Sequence, residues 1–173
     1  MKKNILMAAF IAVLAFGLFS CNKDEKTATQ YLTIEKGWQL SEGSIDPAYQ
    51  FADGSQTSNL MDYLYACEQD DQIFFKENGS ETIKTGVLCD EGLQGAEVAA
   101  LWHFDDPENA TVLYMQLPFF YNADFTSYDE ELENCTIMTL NDEMLKMKYT
   151  FQLAADERYT FTMTYLPSNK VSK

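Results

Sequence analysis

Histidine is almost absent from this sequence, which contains His103 and no other. Serine-hydrolase triads and histidine-based metal sites both depend on a histidine side chain. Trp102 and Phe104 flank His103 in an alternating segment, so we expect the histidine to face away from the core. The sequence therefore predicts no catalytic residue, no metal site and no cofactor, and we expect that the protein is not an enzyme.

Sequence signatures for other site chemistries are missing as well. There is no Cys-x-x-Cys pair for thiol redox chemistry, no calcium loop of the Asp-x-Asp-x-Asp-Gly type and no glycine-rich phosphate loop. Carboxylate pairs occur, as at Asp70-Asp71 and Asp105-Asp106, but each lies at a predicted turn or strand start, where a solvated charge is normal. These absences favour a binding or structural role.

Basic residues are few: 12 Lys and Arg stand against 27 Asp and Glu, which gives a formal net charge of −15. So acidic a protein is repelled by nucleic acid and by anionic lipid head groups. We therefore expect no nucleic-acid partner.

Long apolar runs are limited to residues 5–19, which follow Met1-Lys2-Lys3-Asn4. A membrane span takes about 20 residues, and a basic start before a shorter apolar run is typical of a signal peptide. The run ends in Leu18-Phe19-Ser20-Cys21, which resembles the lipobox of bacterial lipoproteins. That resemblance implies that residues 1–20 are a lipoprotein signal peptide and that Cys21 carries the lipid. The alternative is an ordinary signal peptide that leaves Cys21 free.

Lipidation implies a cell-envelope location, as an outer-membrane lipoprotein on its periplasmic or surface-exposed face. Loss of Lys2 and Lys3 with the leader would take the formal charge from −15 to −17. Attachment to the membrane is therefore expected through the N-terminal lipid and not through a basic patch. Residues 21–30 are polar and unpatterned and predict a flexible tether. Their acidic residues also resemble the surface-export signal of Bacteroidetes lipoproteins, with a plain solvated linker as the alternative.

A β-hairpin is predicted between Cys67 and Cys89. Ile73 and Phe75 alternate with polar residues, and Asn78-Gly79 favours a two-residue turn with positive φ. A turn centred there pairs residues whose numbers sum to 157, and the two cysteines, which sum to 156, lie almost opposite one another. The pattern predicts a disulfide formed in an oxidising compartment. Cys135 is left over, and we expect it to be a small buried hydrophobe.

Eight strands are predicted in all, mostly in hairpins, with one short helix after the first strand. The irregular segments expected between them are residues 41–57 and 118–133. The strands are expected at residues 31–40, 72–76, 82–87, 98–104, 110–117, 135–140, 144–151 and 158–165. An antiparallel chain of this kind buries its apolar faces and removes its free edges by closing on itself.

The order of short motifs resembles the lipocalin-like domains of Bacteroidetes lipoproteins. The motifs are Gly37-Trp38-Gln39-Leu40, a short helix, Cys67, Asp70-Asp71, Ile73, Phe75, Asn78-Gly79, Gly86, Cys89, the Trp102 strand, and the strands at residues 137–140 and 145–149. The resemblance implies an all-β fold, an eight-stranded antiparallel lipocalin-like β-barrel over residues 31–166. It leaves residues 167–173 as a C-terminal tail, and it implies no particular activity.

Large apolar side chains predict what fills the barrel. The candidate ligand-binding interior consists of Trp38, Phe75, Trp102, Met115, Met147, Tyr149, Phe161 and Met163. Eight strands enclose a space that is filled by side chains or holds one small ligand, so a solid core and a cup for a small hydrophobic ligand both remain open. A solid barrel would favour a structural or interaction subunit of an outer-membrane assembly, with the aromatic residues 119–125 contacting a protein partner.

Overall fold

The computed structural model describes residues 26–89, 91–92, 94–117, 132–154 and 157–171. The predicted signal peptide, the lipidation residue Cys21 and the aromatic loop at residues 119–125 lie outside these ranges. No helix in the described ranges is both long enough and apolar enough to cross a membrane.

The described chain begins with a short helix, α1 (Ala28–Leu32). Thr27 and Gln30 cap it reciprocally: the Thr27 side chain accepts from the Gln30 N–H at 3.2 Å, and the Gln30 side chain accepts from the Thr27 N–H at 2.9 Å. Leu32 is fully buried below the helix. The ordered fold therefore starts before residue 31, inside the ranges for which the sequence predicted a tether and a first strand.

Nine strands, two α-helices and a 3₁₀ helix make up the described fold. After α1 they are β1 (Trp38–Gln50), β2 (Gln56–Asn59), α2 (Leu60–Tyr63), the 3₁₀ helix (Ala66–Asp70), β3 (Gln72–Phe75), β4 (Ser80–Lys84), β5 (Glu97–Phe104), β6 (Val112–Met115), β7 (Glu133–Leu140), β8 (Leu145–Ala154) and β9 (Glu157–Pro167). Burial alternates along β3, β4, β5 and β6, because one face of each strand is apolar.

Strand β1 closes the sheet into a barrel, because it pairs with β9 over residues 38–46 and also with β3. The closed ring contains eight antiparallel strands, β1 and β3 to β9, as the sequence predicted. The connections at residues 76–79, 105–111 and 141–144 meet at one end, called here the turn end. The tip of the β8–β9 hairpin marks the opposite end, called here the mouth.

The predicted irregular loop at residues 41–57 is wrong, because β1 runs through it and pairs with β2. The alternation is weak there since most of these side chains are exposed and both strands are polar. Pro47 follows a cis peptide bond and lies in the gap of the β1–β2 register between Ser44 and Tyr49. A proline is tolerated at such a position because no ladder hydrogen bond is needed from it.

The predicted register of the β3–β4 hairpin is also corrected. Phe75 lies opposite Glu81 and Ile73 opposite Ile83, so paired residues sum to 156 and not to 157. The turn is one residue longer than predicted: the Lys76 N–H donates to the Ser80 carbonyl, and Gly79 has a φ of 80°. A positive φ next to a strand is a conformation that glycine adopts without strain. The longer turn places Glu81 on the inner face of the barrel.

Helix α2 and the C-terminal residues complete the wall. Leu60 of α2 packs so closely over Gly43 of β1 that a Cβ on Gly43 would lie 2.6 Å from a Leu60 methyl carbon. Residues after β9 continue in contact with the barrel, since the Ser168 N–H donates to the Gly37 carbonyl at 3.1 Å. The tail predicted to begin at residue 167 is therefore docked at its start.

Candidate functional site

The predicted interior residues all lie inside the barrel. Each belongs to the single buried core cluster and is at most 5% exposed: Trp38, Phe75, Trp102, Met115, Met147, Tyr149, Phe161 and Met163. They come from β1, β3, β5, β6, β8 and β9, so the strand alternation brings the whole set together. None of these residues lines the cavities that the described residues form beside Gln39, Lys26 and Glu42.

Both tryptophans have structural roles near the turn end. The Trp38 indole N–H donates to the Leu32 carbonyl of α1 at 2.7 Å. The Trp102 indole N–H donates to the carbonyls of Lys76 and Ser80 at 3.1 and 3.0 Å. A buried indole N–H usually has such a partner, because leaving it without one costs free energy. These two residues hold α1 and the β3–β4 turn against the barrel.

Three polar side chains project from separated parts of the wall into the interior. They are Glu81 of β4, Cys135 of β7 and Tyr165 of β9, and they are called here the lumen triad. All are at most 1% exposed. Around the ring, β4 and β7 are three strands apart, β7 and β9 two, and β9 and β4 three. Residues so distributed can influence one another only across the lumen.

Burial raises the pKa of all three members of the lumen triad. Burial raises the pKa of the Tyr165 hydroxyl, and the charges of Cys135, Glu81 and Asp71 raise it further. Burial also raises the pKa of the Cys135 thiol, with Glu133 and Glu81 adding to the effect. Complete burial raises the pKa of the Glu81 carboxyl well above its usual value. A low-dielectric interior disfavours the charged form of each of the three groups.

Hydrogen bonding of the lumen triad is incomplete. Neither carboxyl oxygen of Glu81 has a hydrogen-bond partner in the part of the chain that the structure describes. The Tyr165 hydroxyl donates to the Met163 thioether at 3.7 Å, and a thioether is a weak acceptor. Cys135 is buried and free, as expected for a small hydrophobe. The barrel interior therefore contains a carboxyl group with unused donor and acceptor capacity.

Half-buried aromatic rings continue the interior toward the mouth. The mouth cluster, as we call it, consists of Tyr49, Phe51, Tyr63, Phe151 and Tyr159, all partly exposed. Tyr49 packs edge-on against Tyr63 with ring centroids 4.8 Å apart, and Phe151 contacts the buried Phe161 at 6.0 Å. Because Phe151 and Tyr159 extend the inward-facing rows of β8 and β9, the mouth cluster adjoins the barrel interior.

A groove lies on the flank of the barrel, beside β1 and the 3₁₀ helix. Its volume is about 410 Å³, and it is called here the flank groove. Its lining includes Gln39, Ser41, Met61, Gln69, Val87 and Leu88. Val87 and Leu88 are more than half exposed, as is nearby Tyr65. This part of the described surface therefore combines a cavity with exposed apolar side chains.

The disulfide lies beside the flank groove and joins Cys67 to Cys89, the pair predicted by the hairpin. Asp70 supports the same corner, because its carboxylate accepts from the Val87 and Leu88 N–H groups at 2.8 and 3.2 Å. A Cβ on Gly86 would lie 2.1 Å from the Asp70 carboxyl carbon, so no larger residue fits there without displacement. The corner is held covalently and by backbone hydrogen bonds, and neither cysteine is available as a thiol.

Within the described ranges, no cluster of three or more His, Cys, Asp or Glu side chains is arranged to hold a metal ion. His103 is exposed and stacks on Tyr114 with ring centroids 4.7 Å apart. This outward orientation agrees with the alternation of β5.

Sequence reasoning missed Glu81, which the structure makes the most unusual residue of the interior. One signal was present in the sequence. Glu81 is two residues before Ile83, so the two side chains lie on the same face of β4. The predicted two-residue turn paired Phe75 with the wrong residue, and a carboxyl side chain was not expected inside.

The class defined by this fold and interior is a closed eight-stranded antiparallel barrel with an apolar lumen. No protein-family model matches the chain, and no curated protein matches it. Among solved structures, it is similar to a lipocalin-like protein from Bacteroides uniformis, with 13% sequence identity and a TM-score of 0.40. The alignment covers 75% of this chain and 93% of that one. The barrel described above rests on the strand pairings and not on this likeness.

Proposed function

We propose that the protein is a non-enzymatic, lipid-anchored component of the cell envelope that binds a small hydrophobic ligand in its lipocalin-like barrel. The observation that carries the proposal is the mouth cluster. Apolar rows that are fully buried in the barrel emerge as half-exposed aromatic rings at one end. Rings left partly in water favour contact with an apolar molecule that enters there.

Organic extraction of protein purified from its native membrane, followed by mass spectrometry, tests this proposal. The parent should release one kind of small apolar molecule in amounts comparable with the protein. Tyr159→Ala, which removes a ring of the mouth cluster, should reduce that amount. Lys148→Ala, which changes an exposed residue on the neighbouring strand, should not. An extract that contains only bulk membrane lipid, in the same proportion for all three proteins, would contradict ligand binding.

Anchoring is proposed from the lipobox-like segment and has its own experiment. Cys21→Ala should abolish metabolic labelling by radioactive palmitate and release the protein from the outer-membrane fraction. Labelling that persists in the variant would refute the anchor without bearing on the ligand.

A second candidate function is an interaction subunit of an outer-membrane assembly with a ligand-free barrel. The exposed apolar side chains beside the flank groove, Tyr65, Val87 and Leu88, favour it. It predicts an empty extract together with co-purification of one protein partner, which Val87→Ser with Leu88→Ser should abolish.

A further inference from the structure

Within the described chain, Glu81 has neither a hydrogen-bond partner nor a basic side chain to pair with. The carboxyl is fully buried, and neither oxygen is hydrogen-bonded. Its cross-strand neighbours are Phe75 and Ala100, which offer no polar side-chain atom. Every lysine and arginine whose side chain is described is exposed or half-buried. The described part of the barrel thus contains a buried acid and no buried base.

An isolated buried carboxyl is costly, because burial removes its hydration without replacing the hydrogen bonds. Such groups are rare in folded proteins and call for a specific explanation, such as an ion, a water molecule or a ligand. The remaining polar groups of the lumen triad do not provide it, since the Tyr165 hydroxyl donates to the Met163 sulfur. The group that would complete Glu81 has to come from outside the described chain.

We propose that the lumen binds an apolar molecule that carries one amine head group, with the amine on the Glu81 carboxyl and the apolar part against the interior wall. This inference rests on the proposed function, because it names the class of ligand for the same barrel. Met163 and Phe161 provide the apolar wall on β9, and Phe75 is paired opposite Glu81 on β3. Because these side chains are buried and line none of the described cavities, the ligand has to displace interior side chains, and unbranched methionines such as Met163 adapt to such a change.

The chemistry of the lumen favours an amine over other head groups. A buried carboxyl without a partner charge is protonated, because the isolated ion is too costly in an apolar interior. An amine that enters as its free base takes that proton, so an ammonium–carboxylate pair forms with no change in net charge. Hydrogen bonds between charged partners are roughly twice as strong as those between neutral ones. A fatty-acid carboxylate could accept from the protonated Glu81 carboxyl, but it would leave one uncompensated negative charge in the low-dielectric lumen. An alcohol would satisfy hydrogen bonding but not form an ion pair.

Competitive displacement of N-phenyl-1-naphthylamine, a fluorescent apolar probe, tests the inference. The competitors are dodecylamine, dodecanol and dodecanoate, which share a chain length and differ in head group. The parent protein should bind the amine about tenfold more tightly than the dodecanoate, the factor of a charge-assisted contact worth about 1.4 kcal/mol. Glu81→Gln should reduce that ratio to near one. Glu97→Gln, which removes an exposed carboxylate from β5, should leave it unchanged.

The outcomes separate this inference from the proposed function. If the probe does not bind the parent protein, the proposed function fails. If the probe binds but the parent does not prefer the amine, or if Glu81→Gln keeps the preference, the amine assignment is overturned while ligand binding stands. Glu81→Met provides a second variant of similar volume that removes the carboxyl without adding a hydrogen-bonding amide. It should also lose the preference, and a retained preference would overturn the assignment equally.

Discussion

Single residues set the pH response of this protein, and Glu68 is the clearest case. It is 8% exposed at the start of the 3₁₀ helix, where it accepts from the Tyr65 N–H at 2.8 Å. Burial raises the pKa of its carboxyl to about 7, the Tyr65 N–H lowers it, and the charge of Asp71 adds to the rise. The folded protein therefore binds this proton more tightly than the unfolded chain does.

The sign of the effect follows from that difference. The contribution of Glu68 to stability is complete below its unfolded pKa of 4.5 and is lost as the pH rises to about 7. Asp105 acts in the opposite sense at lower pH. Its pKa is held below 3.8 first by the Thr111 hydroxyl and then by the Val112 N–H, so its contribution is lost on acidification.

Glu68→Gln should flatten the fall in the free energy of unfolding between pH 4.5 and about 7, because glutamine keeps the acceptor for Tyr65 but does not titrate. Urea unfolding at several pH values measures this. Glu97→Gln is the control for loss of a carboxylate on the exposed surface and should leave the slope as in the parent. A Glu68→Gln slope equal to that of the parent would show that the carboxyl is equally protonated in the folded and unfolded states.

Single residues also show which parts of the barrel interior could be predicted from the sequence. Alternation places Phe161 and Met163 inside correctly, because each lies in an unbroken apolar row of β9. On β4 the inward-facing residue before Ile83 is Glu81, which is not apolar. A charged residue is ordinarily assigned to the solvent face. Its position depends on the length of the preceding turn, and Asn78-Gly79 fits both a two-residue and a three-residue loop.

Whole elements were predicted well where one face is apolar and poorly where neither is. The strand at residues 158–165 was found because four apolar side chains alternate with threonines, and β9 extends it only slightly. The predicted first strand ended at residue 40, whereas β1 continues to Gln50. The later side chains of β1 are mostly exposed and polar, so they show no apolar alternation. Backbone pairing with β2 and β9 keeps that half of β1 in the sheet, and hydropathy does not record backbone pairing.

The disulfide joins the 3₁₀ helix to the segment after β4, and removal of either cysteine should have the same effect. The bridge spans 22 residues, and opening a loop of that size costs on the order of 3 kcal/mol. Cys67→Ser and Cys89→Ser should therefore lower the Tm equally, and the double variant should fall no further than either single one. Cys135→Ala is the control, because it keeps the bridge and its Tm should still drop when reductant is added. Unequal losses in the two serine variants would mean that one cysteine stabilises the fold apart from the bridge.

Helix α2 depends on the absence of a side chain at Gly43. An added methyl group would lie 2.6 Å from Leu60, so Gly43→Ala should push α2 away from β1 and cost about 1–3 kcal/mol of stability. Gly92→Ala is the matched change, since a Cβ added at Gly92 would have no atom within 4 Å. Chemical denaturation compares the two. Equal stabilities would indicate that Leu60 moves aside freely and that α2 is loosely held.

At the scale of the whole molecule, the strand pairings make one closed barrel with a buried acid on its inner face near the turn end and aromatic rings at its mouth. The strand count predicted the closure, because eight half-apolar strands without a partner sheet have few other ways to bury their faces. The lumen triad could not be predicted, since its members are brought together by strands far apart in sequence. Whether a ligand binds inside the barrel, as proposed, is the central structural question.

Methionine methyl NMR answers that question most directly. Met115, Met147 and Met163 lie inside the barrel, Met61 lines the flank groove, and Met138 is 48% exposed. With methyl-¹³C-methionine protein and saturating dodecylamine, the account predicts shifts for interior methyl groups and none for Met61 or Met138. A shift confined to Met61 would place binding in the flank groove, and either that result or an unchanged spectrum would contradict a ligand site in the barrel.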